Sequence, residues 1–94
     1  MPKKWGSDLY LLEIDGETVK LGRSQHPAKR LQEIARAQPF SPVRLYCVWP
    51  GAGCLEAGLH RLLADRFEKR LEWYRASPAA VARVVRAQLE TLEF

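Results

Sequence analysis

The chain has 94 residues, of which 47% are apolar and 28% charged, enough for one hydrophobic core and too few for two. Its net charge of +4 is spread over several segments, which admits a polyanionic partner without requiring one. No run approaches the ~18 apolar residues of a membrane span, and the opening MPKKWGSD lacks the apolar stretch of a signal peptide, so one cytoplasmic domain over residues 1–94 is expected, with no membrane partner.

Residues 1–7 read as a short basic lead with Trp5 as its anchor to the core. Residues 9–14 and 18–22 are rich in β-forming side chains, and Asp15-Gly16 between them is a hairpin signal. Two registers are open. A two-residue turn puts the side chains of Tyr10 and Lys20 on opposite faces. A three-residue loop, Ile14-Asp15-Gly16 with Gly16 left-handed, sets Tyr10 directly opposite Lys20. It also gathers Leu9, Leu11, Val19 and Leu21 on one apolar face and leaves Tyr10, Leu12, Thr18, Lys20 and Gly22 on the other. The second register is preferred for that separation.

Ser24 is a candidate cap and Pro27 suits the first turn of a helix from about Pro27 to Ala37. Leu31, Ile34, Ala35 and Gln38 form its inward stripe, Lys29, Glu33 and Arg36 lie outside, and Arg30 sits at the edge. Pro39 and Pro42 mark a loop. Residues 43–49 alternate as a third strand, with Val43, Leu45, Cys47 and Trp49 on one face. Residues 50–53 carry two glycines but no Gly-Lys-Ser/Thr, so a phosphate-cradling loop is not expected.

A second helix spans residue 54 to about 66, with Leu55, Leu59, Leu62 and Leu63 at helical spacing. Glu56 and His60, four apart, are neighbours beside that stripe. Residues 67–75 read as irregular or briefly extended, with Trp73 as a packing anchor. Ser77-Pro78 opens a last helix to about residue 92, whose inner stripe is Val81, Val84, Val85, Gln88 and Leu92. Cys47 and Cys54 have no Cys-x-x-Cys or paired histidine around them, so they make no zinc site and read as small, partly buried residues. The expected fold is α+β, a small three-stranded antiparallel sheet flanked by about three helices.

Taken singly, the polar residues are unremarked: a half-buried strand tyrosine, a solvated helix arginine, an acid in a first helical turn. Their order is more telling. Tyr10, Val19-Lys20-Leu21-Gly22, Arg30, the Glu56/His60 pair and Glu72-Trp73-Tyr74 follow one another along the chain. This ordered set resembles the GIY-YIG nuclease superfamily, and in particular its phage-type branch, whose second motif reads V-K-I-G. The motif core covers about residues 8–75, with the helix at about 78–92 following it.

The resemblance implies a metal-dependent endonuclease that uses Mg2+ or Mn2+ and acts on DNA. It assigns Arg30 to the developing charge on phosphate, Glu56 to the metal, and Tyr10 to orienting or deprotonating the water. Lys20 is either a base or a holder of phosphate. Arg23, Lys29 and His60 are the nucleic-acid-binding positions that go with them. Three positions depart from the pattern: Asp8 stands at a usual glycine, Lys20 at a usual tyrosine, and Leu71 at a usual small residue.

Two other readings stay open: a DNA-binding module of the same fold without cleavage, and a protein-interaction domain with a basic surface. No attached targeting domain is expected within these 94 residues, so DNA selectivity is expected to come from homo-oligomerisation, a targeting partner or the shape of the DNA.

Overall fold

Residues 6–92 are described in the computed structural model of the chain, so Trp5 lies outside the described residues. Asp15 and Gly16 both take positive φ, 57° and 69°, the handedness that matches the twist of an antiparallel hairpin. They join β1 (Asp8–Ile14) to β2 (Thr18–Ser24). The loop is Asp15-Gly16-Glu17, one residue later than expected, so Ile14 pairs with Thr18, Leu12 with Lys20 and Tyr10 with Gly22. Two bonds close it there: Gly16 N donates to Glu13 Oε1 at 3.0 Å and Glu17 N to Ile14 O at 3.2 Å. Tyr10 is therefore not opposite Lys20. A shift of two residues along the partner strand nevertheless preserves side-chain parity, so the two residues share a face as expected.

Among the described residues the sheet has five antiparallel strands in the order β3-β1-β2-β5-β4, which corrects the three-stranded expectation. β3 is Arg44–Trp49, and the added pair is β4 (Lys69–Arg70) and β5 (Trp73–Arg75). Strands of two and three residues are too short to show an alternating pattern. Their turn also carries no sequence signal, because its left-handed residue is Leu71, at φ 58°. For a leucine that conformation costs roughly 1–2 kcal/mol.

β3 departs from strict alternation as well. Leu11 pairs with Cys47 and Leu12 with Leu45, so Tyr46 is the extra residue of a bulge. Beyond it the faces exchange. Val43 packs with Tyr10 and Leu12, while Trp49 packs with the opposite cluster, although the sequence places both on one face.

The hairpin's two faces are covered by different helices. On the Tyr10 side, α1 (Pro27–Ala37) lays Ile34 and Leu31 against Tyr10, Leu12, Val48 and Trp73. On the other side, Leu9, Leu11, Val19 and Leu21 meet Leu59 and Leu63 of α2 (Glu56–Arg66) and Val81 and Val85 of α3 (Pro78–Leu92). A 3-10 turn over Gly53–Leu55 leads into α2.

The caps divide. Ser77 Oγ accepts from Ala80 N at 3.2 Å and caps α3. Ser24 Oγ accepts from His26 N at 2.9 Å, so it fixes the loop before α1 and does not cap the helix. Cys47 is half-buried as expected, but Cys54 is exposed, because it lies in the turn ahead of α2 and not on its inward stripe. Among the described residues, no helix is long and apolar enough to cross a membrane.

Candidate functional site

β1, β2, α1 and α2 bring Tyr10, Lys20, Arg30 and Glu56 together at a single cleft of about 260 Å3. Tyr10 is set by β1 and by what stands across from it. Gly22 has no side chain, so the phenol ring lies over its backbone; a Cβ there would be 2.5 Å from Tyr10 Cζ. Gly22→Ala is therefore expected to displace the ring and to destabilise the fold by about 1–3 kcal/mol, the usual cost of overpacking. Urea unfolding measures this, and an unchanged midpoint would mean that the ring has room to move aside.

Tyr10 is only 2% exposed. Burial pushes its hydroxyl above the ordinary tyrosine value, opposed by a hydrogen bond and positive charge from Arg30. The phenol thus keeps its proton near neutral pH, with the guanidinium of Arg30 as its cationic neighbour. Arg30 is held from the other side by Glu33, with Nη1 3.1 Å from Oε1. These contacts, the Glu33 bond first and the Tyr10 bond next, push its pKa further up, and it stays a cation.

Lys20 Nζ donates to Glu72 Oε2 at 2.8 Å. The lysine is buried but its partner's side chain is 79% exposed. That hydrogen bond, and then the lysine's charge, hold the Glu72 carboxyl below the usual carboxylate range. Glu72 belongs to the Glu-Trp-Tyr motif, but sequence reasoning gave it no role. Its partner becomes visible only when β5 is seen to lie beside β2.

Glu56 opens α2, as its sequence position suggests. Its Oε1 is 3.7 Å from Arg23 Nε and its Oε2 is 3.7 Å from His60 Nε2. Both distances lie beyond hydrogen-bond reach, the first within ion-pair range. His60 is anchored on its far side, where Nδ1 lies 2.6 Å from the Tyr74 hydroxyl and the two rings stack at 5.7 Å. Tyr74 is fully buried, and burial first, then Glu56, raises its pKa. Lys69 completes the wall, with Nζ 5.1 Å from the Tyr74 ring centroid. Sequence reasoning named Tyr74 in the motif without giving it a role and missed Lys69, again because β4 and β5 were not recognised as strands.

Of the other expected DNA-binding positions, Arg23 and His60 line the cleft. Lys29 does not; it is exposed on α1. Cations outnumber carboxylates in the cleft, with Lys20, Arg23, Arg30 and Lys69 facing Glu56 and Glu72. Such a surface attracts anions.

The donor set bears on the implied metal. Among the described residues there is no group of three or more His, Cys, Asp or Glu side chains that could hold one. A preformed protein cage is therefore not the arrangement. Magnesium, however, is commonly held by one or two carboxylates with water and substrate oxygens completing its shell. Glu56 in an open cleft with an excess of cations fits that mode.

The T5orf172 domain, found in phage and related endonuclease-like proteins, matches residues 9–89, from the first strand into the last helix. No curated protein and no solved structure matches the chain.

Proposed function

We propose that this chain, which belongs to the T5orf172 domain family, is a metal-dependent DNA endonuclease of the GIY-YIG type. The observation that carries the proposal is the convergence of Tyr10, Lys20, Arg30 and Glu56 from four separate elements on one basic cleft. Each matches a residue type that phosphodiester hydrolysis requires.

In this reading, water oxygen bonds to phosphorus while the bond to the departing sugar oxygen breaks; the attacking water gives its proton to solvent, and the departing oxygen takes one from solvent. Negative charge grows on the phosphate oxygens. Arg30 faces that charge with a planar, permanently ionised fork. Lys20 holds the phosphate, exchanging its exposed Glu72 partner for a phosphate oxygen. That role is preferred to a base role because Nζ already serves as a donor to the exposed Glu72 carboxylate. Tyr10, protonated and fixed by Arg30 and Gly22, orients the water; it is not a standing phenolate. Glu56 would hold Mg2+ or Mn2+, with His60 steadying the carboxylate, and the bound cation would polarise the phosphate.

Purified protein with supercoiled plasmid tests this. Nicking with Mg2+ or Mn2+ and none with chelator is expected. Binding should be steeply salt-dependent: if Lys20, Arg23, Lys29 and Arg30 each neutralise a phosphate, affinity falls about a hundredfold between ~50 and ~200 mM salt. DNA that is bound but never cut selects the non-cleaving module. Affinity that is flat across that range selects the protein-interaction reading.

A further inference from the structure

The β4–β5 turn carries a residue that the cleft does not use. Leu71 is 87% exposed and holds φ at 58°, a conformation that glycine or asparagine adopts with less strain. It gains almost no burial in return. An exposed, strained, apolar tip is a reason to look for a function outside the core.

The setting of the tip suggests one. Lys69 and Glu72 of the same hairpin line the cleft, while Arg70, Leu71, Trp73 and Arg75 line a second groove of about 520 Å3. A third pocket of about 200 Å3 shares Lys20, Arg30 and Glu72 with the first and Gln38 and Trp73 with the second, with Glu33 also on its wall. A polyanion lying over Lys20 and Arg30 therefore meets the hairpin tip next, with Arg70 and Arg75 beside it and the Trp73 indole at the groove. Glu68 contributes one carboxylate to that groove against the two arginines.

We propose that the β4–β5 hairpin is a base-unstacking wedge: Leu71 enters the stack of DNA bound over the cleft, and the adjoining groove receives the displaced base. This rests on the reading of the cleft as a DNA site. Leucine is among the side chains that proteins insert between base steps, and aromatic faces such as Trp73 hold unstacked bases without regard to sequence. Arg70 and Arg75 bind the phosphates of the bent strand. Opening a stack costs least where a base is already mismatched or unpaired, so the wedge makes the domain selective for DNA structure and not for sequence.

The test uses duplexes with 2-aminopurine at a matched or a mismatched position, in chelator so that no strand is cut. Anisotropy reports binding, and 2-aminopurine fluorescence reports unstacking. Wild type and Leu71→Met are expected to raise the fluorescence severalfold and to favour the mismatched duplex. Leu71→Asn relieves the left-handed strain, so it should fold at least as stably as wild type by thermal melting. It should still bind duplex by anisotropy through the cationic cleft, yet lose both the fluorescence rise and the mismatch preference.

Binding by anisotropy without a fluorescence rise, or an equal rise with Leu71→Asn, overturns the wedge while leaving the DNA site standing. No binding even at low salt overturns both. A dimer in sedimentation that Leu71→Asn dissociates would make the tip a self-association surface, and that too overturns the wedge.

Discussion

Glu56→Ala is expected to remove metal-dependent cleavage while leaving DNA affinity unchanged or slightly tighter. Glu56 is the cleft carboxylate best placed for a cation, because Glu72, the other one, is already bonded to Lys20 at 2.8 Å. Losing a group that acts on developing charge costs about 10²–10³-fold in rate, and losing the metal with it should take nicking below detection. Binding should hold, since the substitution deletes a negative charge from a surface that attracts phosphate and frees Arg23 from its 3.7 Å ion pair. Plasmid nicking, anisotropy and calorimetric titration with Mn2+ separate these effects. Full activity in the variant would remove Glu56 from the site.

The second large effect is expected at Arg30. Arg30→Ala should lower single-turnover cleavage by about 10³-fold, the scale on which arginines act in phosphoryl transfer. Binding should weaken only modestly, with the salt slope falling by about 0.9 for the one phosphate no longer neutralised. The substitution also removes the hydrogen bond and charge that pull the Tyr10 pKa down, so the phenol should titrate still higher in the variant. Arg30→Lys restores the charge without the planar fork and should recover binding more fully than rate. A rate within a few-fold of wild type for Arg30→Ala would exclude it from the chemistry and reduce it to a surface partner of Glu33.

Much of the candidate site's geometry was legible in the sequence because its residues lie on elements whose patterns are local. The hairpin's period of two, with Leu9, Leu11, Val19 and Leu21 gathered on one apolar face, puts Tyr10 and Lys20 together on the other, and that parity survived a register two residues from the expected one. The helical stripe of α1 left Arg30 at its edge, and the stripe of α2 left Glu56 and His60 as neighbours. Pro27 at the start of α1 and Ser77 before α3 acted where they stand, one through its fixed φ and the other through a bond three residues on.

What tertiary structure decided are the relations between distant segments. Whether β5 lies beside β2 depends on three residues, too few to carry a periodic signal, and on a leucine in a conformation that nothing in its chemistry announces. That placement in turn gave Lys20 its partner Glu72 and His60 its partner Tyr74, residues 52 and 14 positions away. The bulge at Tyr46, which moved Val43 and Trp49 to opposite faces, likewise belongs to the pairing of β1 with β3 and not to either strand alone. A period specifies which side chains share a face; which faces meet is set by packing among segments that only the folded chain brings together.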